Sequence, residues 1–275
     1  MTRLVPTVGE LRAALAPLRP ARIGLVPTMG ALHDGHIALV RAARERSDHV
    51  AVSIFVNPTQ FAPHEDFNAY PRTLDADLAK LDGLADFVFA PTAREMYPEG
   101  FATAVTVGGP SAGLESEFRP HFFAGVATVV SKLLIAALPD VALFGEKDYQ
   151  QLLVVKRLAA DLNLGVEIVG HPTRREADGL ALSSRNAYLS AEERAVAAKL
   201  NLILKDAIAK ARAGGPRAAE SWAAAALKDA GFDTIDYVAI RDAETLAAIA
   251  DLSRPARILA AAKIGKTRLI DNMAV

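Results

Sequence analysis

The feature that most constrains this chain is the alternation of short apolar runs with amphipathic stretches. Residues 23–26 read as a buried strand, 27–34 as a loop and about 35–46 as a helix. Residues 49–56 (HVAVSIFV) form the next strand, rich in β-branched side chains. Leu74, Leu78 and Leu81 share one face of a helix expected over 73–84. Strands are expected at 87–90, 104–107, 141–144 and 166–169, with helices at 126–138 and 150–161. Buried strands separated by helices need crossover connections, so they build a parallel sheet covered on both faces. The pattern changes near Asp178. Residues 191–212 read as one long helix capped by Ser190, and 213–216 (AGGP) break it. A helix over 218–230 follows, then strands at 235–241 and 257–261 with little room for crossovers. The expected fold is α/β: a Rossmann-like doubly wound parallel sheet over 1–175 and a smaller C-terminal α+β domain over 176–275.

Bulk properties narrow the function. At roughly 100–200 residues per domain, 275 residues make one large domain or two modest ones. A 51% hydrophobic content supports a real core and excludes a disordered chain. The net charge of -1 lacks the basic excess of a nucleic-acid binder, so no nucleic-acid partner is expected. The absence of cysteine rules out disulfides, cysteine zinc sites and a protein thioester. The first ten residues carry no secretory pattern. No uncharged apolar run reaches the roughly 20 residues that span a bilayer. The longest candidate, 122–138, contains Lys132 and reads as a buried helix. A cytoplasmic protein without membrane contact is expected.

The most informative stretch, Val26-Pro27-Thr28-Met29-Gly30-Ala31-Leu32-His33-Asp34-Gly35-His36, lies between the first strand and the first helix. Ligands of open parallel sheets bind at the carboxyl ends of strands. Gly30 and Gly35 would let backbone amides approach a bound group, and the free N–H groups of the helix start would suit a phosphate. His33 and His36, three apart, can face one ligand. An imidazolium there could donate to a phosphate oxygen. An HxxH spacing also suggests a metal pair, but no further His or carboxylate cluster completes one.

Three more segments reach the same sheet edge or follow it. Pro58 stops the second strand and leaves Asn57 and Gln60 there, able to hydrogen-bond a hydroxy acid. Phe144-Gly145-Glu146-Lys147-Asp148-Tyr149-Gln150-Gln151 follows a buried strand. Lys147 could neutralise phosphate charge, and Asp148 could hold Mg²⁺ or a ribose. Asp178-Gly179-Leu180-Ala181-Leu182-Ser183-Ser184-Arg185-Asn186 offers small hydroxyls and a guanidinium fork for phosphate oxygens. Read singly, each is an ordinary turn or loop.

Together, in order, they resemble the pantothenate synthetase family of the HxGH nucleotidyltransferases. PTMGALHDGH is similar to the family's PTMGxLHxGH, FVNPTQF to its FVNPxQF, and YPRT (70–73) to its YPRT. FGEKDYQQ and DGLALSSRN match FGEKDxQQ and DGLAxSSRN, and the similarity runs on to Arg268-Leu269-Ile270-Asp271-Asn272. The resemblance implies an ATP-dependent ligase that activates (R)-pantoate as its adenylate and joins it to β-alanine, releasing pyrophosphate and AMP. It implies ATP contacts at Met29, Gly30, Ala31, Leu32, His33, Asp34, Gly35, His36, Gly145, Glu146, Lys147, Asp148, Arg174, Leu182, Ser183, Ser184 and Arg185. His36, His33, Lys147 and Arg185 would be catalytic, and the family assigns its second histidine as a proton donor. Gln60 and Gln151 would bind pantoate, and Gln60 also β-alanine. ATP as substrate, Mg²⁺ and a homodimer are likewise implied.

The chain departs from the family at three places. Thr59 stands where Met is common. Phe122 occupies a family His position, with His121 one place earlier, while Arg119 still matches and is expected to contact an anion. Arg174 replaces a usually apolar residue. Another nucleotidyltransferase would share the HxGH turn without FVNPxQF or FGEKDxQQ. A nucleotide-binding regulator without catalysis is the other alternative.

Overall fold

The computed structural model describes residues 2–62 and 65–275, in two compact units. The first comprises residues up to Glu146 together with Val154–Pro172; the second comprises Lys147–Leu153 and Thr173–Val275.

In the first unit, strands β1 (Arg3–Val5), β2 (Ile23–Thr28), β3 (His49–Ile54), β4 (Phe87–Phe89), β5 (Val141–Gly145) and β6 (Glu167–His171) form one sheet. Their order is β1-β4-β3-β2-β5-β6, every pair parallel. The chain runs outward from β2 in both directions, so the switch point of the topology lies between β2 and β5. Crevices outside such points are where open α/β sheets take ligands. The helices are α1 (Val8–Leu15), α2 (Asp34–Arg44), α3 (Leu74–Leu81), α4 (Ala93–Met96), α5 (Glu115–Phe118), α6 (Phe122–Ala137) and α7 (Tyr149–Asp161), the last starting in the second unit. One face of the sheet buries Val26, Val50, Val52, Val88, Val141 and Leu143 against Leu39, Val40 and Ala43 of α2 and Leu81 of α3. The sequence of α2 suits its polarity: Asp34 sits at the positive end, Arg41 and Arg44 at the negative end.

The second unit holds α8 (Ala191–Ala197), α9 (Lys199–Gly214) and α10 (Pro216–Asp229), with an antiparallel sheet of β7 (Thr234–Asp242), β8 (Ala256–Ile264) and β9 (Thr267–Ala274). Leu200, Leu204, Leu227, Ile240, Ile258 and Leu269 pack together in its core.

The parallel sheet and the α+β tail agree with the sequence. Four local expectations do not. Residues 104–107 form no strand, because the Val105 N–H donates to the Thr128 hydroxyl of α6 (2.9 Å) instead of to a neighbouring strand. The helix expected over 191–212 is two helices, interrupted at Ala198, where no Gly or Pro marks the break. β1 with α1, and β9, were not expected. β9 returns through a two-residue turn at Gly265, whose φ of +54° suits the twist of a tight hairpin. Among the described residues no helix is long and apolar enough to cross a membrane.

Candidate active site

In the first unit the segment after β2 is shaped by a buried carboxylate. Gly30 and Ala31 both take positive φ, +84° and +49°. Asp77 of α3, 1% exposed, accepts from the Ala31 N–H at 2.9 Å and the Leu32 N–H at 2.8 Å. The Thr73 hydroxyl donates to the same carboxylate, and Lys80 of α3 donates to the Leu32 carbonyl. A Cβ on Gly30 would sit 3.1 Å from Asp77 Oδ2 and 3.0 Å from Ile54 at a φ of +84°, so a side chain there would be both crowded and strained. The amides of Ala31 and Leu32 are therefore spent on Asp77, not held out to a ligand as the sequence suggested. Asp77→Ala leaves these two N–H groups without their acceptor. At about 1–3 kcal/mol per orphaned group, thermal denaturation should show a midpoint lowered by roughly 5–10 °C. An unchanged midpoint would contradict this role of Asp77.

The two histidines cap α2 reciprocally. His33 Nδ1 accepts from the Gly35 N–H (3.1 Å), and His36 Nδ1 accepts from the His33 N–H (3.3 Å). The N–H groups of His36 and Ile37 both donate to the His33 carbonyl. The Gly35, His36 and Ile37 N–H groups at the start of α2 are thus taken up by His33, which corrects the expectation that they are free for a ligand. With Nδ1 accepting a backbone N–H, the donor each ring can offer a ligand is Nε2–H. The ring centroids lie 4.0 Å apart, so the two donors form a pair. Leu32 is buried in the core and Asp34 is exposed at the helix start.

The next group is built around Asn57, which is 0% exposed. Its amide donates to Gln60 Oε1 (3.1 Å) and the Gly125 carbonyl (3.2 Å). Its Oδ1 accepts from the Tyr97 hydroxyl (2.7 Å) and the Thr59 hydroxyl (3.0 Å). Asn57 therefore aims Gln60 and is not itself presented to a ligand. Burial pushes the Tyr97 phenol above its ordinary range, so it stays a donor at neutral pH. Gln60 Nε2 reaches Met29 Sδ at 3.0 Å, which brings the glutamine and the histidine-bearing segment together.

Arg119 finds its expected anionic contact inside the protein. Its guanidinium pairs with Glu65 (2.6 and 2.9 Å), donates to the Gln60 carbonyl (3.2 Å) and lies 3.8 Å from the Phe122 ring centre. Its anionic partner is thus the protein's own Glu65, and through the Gln60 carbonyl it braces Gln60. Phe122 is buried and His121 exposed, so the histidine one place earlier does not take over that position. Thr59 fills its departure from the family with two hydroxyl contacts, to Asn57 and Tyr97.

In the second unit, Lys147 and Asp148 belong to a 3-10 turn, Glu146–Asp148, at the end of β5, with Lys147 Nζ 4.0 Å from Asp148 Oδ2. Gly145 is the last residue of β5. Of the two glutamines that follow, Gln150 is buried and Gln151 partly exposed, which leaves the second as the one able to meet a ligand. The Arg174 carbonyl accepts from the Leu182 N–H (2.9 Å) while its side chain is exposed, so the segment is held through backbone. The Ser183 hydroxyl accepts from the Arg185 N–H (3.3 Å) at the start of the 3-10 turn Ser184–Tyr188. Asp178 and Arg194 pair at 2.7 Å, and that guanidinium holds the Asp178 carboxyl below the usual range.

Comparison with known proteins identifies the family. The pattern of the family described as pantoate-beta-alanine ligase matches residues 3–274. The chain belongs to the pantoate-beta-alanine ligase family. It is 58% identical to the pantothenate synthetase of Rhodopseudomonas palustris, over 98% of this chain and 97% of that one. The pantothenate synthetase of Nitrobacter hamburgensis is also 58% identical, with the same coverage. The crystal structure of the Thermus thermophilus enzyme superposes with a TM-score of 0.94 at 49% identity, covering 99% of each chain. A pantoate-beta-alanine ligase from Francisella tularensis, solved with beta-gamma ATP and beta-alanine, gives a TM-score of 0.84 at 34% identity over 99% of this chain and 97% of that one.

Residues that serve only other side chains were missed in the sequence. Asp77, Tyr97, Glu65 and Gly125 reach their partners across long separations. Of these, only Asp77 left a trace: an aspartate one turn after Thr73 in a helix that otherwise buries leucines.

Proposed function

We propose that this member of the pantoate-beta-alanine ligase family makes an amide from pantoate and β-alanine, using ATP to activate the carboxylate. One observation carries the assignment of the site. Two imidazole Nε2–H donors, locked by their own helix cap, stand on the segment whose Met29 also receives the amide of Gln60. Phosphate donors and a hydroxy-acid donor are thus built into one unit.

The chemistry follows from charge. A carboxylate is a poor electrophile at neutral pH. In the first step the pantoate carboxylate attacks the α-phosphorus of ATP and pyrophosphate leaves. His33, His36, Lys147, Ser183, Ser184 and Arg185 are assigned to the phosphates, His36 and His33 through Nε2–H. Their work is positioning and electrostatic stabilisation. Gln60 and Gln151 are assigned to pantoate. In the second step the amine of β-alanine, held partly by Gln60, attacks the pantoyl carbonyl and AMP leaves. No protein nucleophile is needed, in keeping with a chain that has no cysteine.

Among the described residues no three metal-binding side chains cluster. Mg²⁺ characteristically binds through one or two carboxylates plus substrate phosphates, and Asp148 can supply such a carboxylate. The ion would share the charge of the triphosphate. A homodimer and a cytoplasmic location complete the proposal by family resemblance; a monomer mass by light scattering would contradict the first, and recovery outside the cytosolic fraction the second.

Incubation with ATP, pantoate and β-alanine should give pantothenate and AMP in equal amounts, resolved by mass spectrometry. ADP in place of AMP, or no amide, would sink the proposal. Gln60→Ala removes one donor and one acceptor. It should raise the KM for pantoate by about 10–100-fold, with a smaller change in KM for ATP. Equal changes in both would remove Gln60 from the pantoate site.

A further inference from the structure

The segment Arg268–Asn272 lies within the stretch matched by the family pattern, yet it has no part in the chemistry above. In β9 its last two residues are almost completely enclosed: Asp271 and Asn272 are each 3% exposed. A buried amide and a buried carboxylate on one strand need partners, and the partners are informative.

Asn272 Nδ2 donates to the Lys147 carbonyl at 2.8 Å, and Asn272 Oδ1 accepts from Arg257 Nε at 2.6 Å. The Arg257 guanidinium lies 3.8 Å from the centre of the Tyr149 ring, and the Tyr149 hydroxyl donates to the Ala243 carbonyl (2.8 Å). The turn carrying Lys147 and Asp148 is thereby tied to the C-terminal sheet. Asp271 holds the other phosphate segment. It accepts two hydrogen bonds from Arg175, at 2.7 and 2.9 Å, and Arg175 also donates to the Gly179 carbonyl (3.1 Å). Arg175 bridges to Ala181, next to Leu182 and Ser183. The Asn272 N–H donates to Asp271 Oδ1 (2.7 Å), so the two anchors brace each other.

We propose that Asn272 is a positioning residue for adenylate formation. It fixes the backbone of Lys147 in register with the Ser183–Arg185 segment, which the neighbouring Asp271 holds through Arg175. The position calls for an amide, since one side chain must accept from a guanidinium and donate to a carbonyl at the same time. Aspartate has the same shape and keeps the acceptor, but it sets a carboxylate oxygen against the Lys147 carbonyl. Leucine satisfies neither partner. Asn272 touches no reacting atom; it acts through the lysine. The inference rests on the ligase reading.

The test is a double-mutant cycle on pantoate-dependent ATP–pyrophosphate exchange, with thermal midpoints recorded for every variant. Asn272→Asp should lower exchange by about 10-fold or more in the wild-type background and by less than about 2-fold in Lys147→Ala, because the lysine it positions is already gone. A purely structural role would lower exchange by the same factor in both backgrounds, and that result overturns the proposal. So does wild-type exchange in Asn272→Asp. Asn272→Ser, whose side chain is too short to reach the Lys147 carbonyl, carries the same cycle if the aspartate variant does not fold. Wild-type protein without exchange contradicts the ligase reading instead, so the two failures are distinct.

Discussion

His36→Ala should lower pantoate-dependent ATP–pyrophosphate exchange by about 10²–10³-fold. That is the loss expected when one preorganised donor to developing charge is removed. The same change deletes half of the capping box of α2, because His36 Nδ1 accepts the His33 N–H. A lost cap costs only about 1 kcal/mol, so the fold should persist with a midpoint a few degrees lower. His36→Asn separates the two roles. Its side-chain oxygen can still accept the His33 N–H, but the Nε2–H donor is gone. Exchange should stay low while the midpoint returns. Near-normal exchange in either variant would remove His36 from the first step.

Gly125→Ala should be the most damaging single methyl in the first unit. A Cβ at Gly125 would lie 2.4 Å from the Thr59 carbonyl oxygen, 2.6 Å from its carbon and 2.8 Å from the Gln60 nitrogen. All three are backbone atoms, so no rotamer change relieves the clash. Either α6 or the turn Pro58–Gln60 must move. Overpacking of this kind costs about 1–3 kcal/mol. The functional cost should be larger. Gln60 is held by Asn57, by the Arg119 bond to its carbonyl, and by contact with Met29. A displacement of about 1 Å at a substrate-positioning group can cost on the order of 100-fold. We expect the KM for pantoate to rise at least about 10-fold, more than the KM for ATP, in steady-state kinetics. Unchanged kinetics would show that the Gln60 turn is not fixed by its packing on α6.

Much of this was legible in the sequence, for identifiable reasons. Buried strands such as 49–54 announce themselves by β-branched runs, and a Gly-containing turn between strand and helix marks the end of β2. The hairpin to β9 escaped because that strand buries Thr267, Asp271 and Asn272, polar side chains that mask the apolar alternation of a strand. The interruption at Ala198 has no local marker at all. The candidate residues were found as types, but their states were not. The sequence shows two histidines three apart. It does not show that each Nδ1 is occupied by a backbone N–H, and this fixes the donor at Nε2. Nor does it show that Arg119 is neutralised by Glu65, 54 positions away. Such facts are set by tertiary contacts and leave no periodic trace.

The central claim is that pantoate's own carboxylate attacks the α-phosphorus, and that no group of the protein does. Pantoate labelled with ¹⁸O in both carboxylate oxygens, turned over with ATP and β-alanine, tests it most directly. One labelled oxygen should appear in AMP and the other in the pantothenate amide carbonyl. AMP without label, or label in inorganic phosphate, would contradict it.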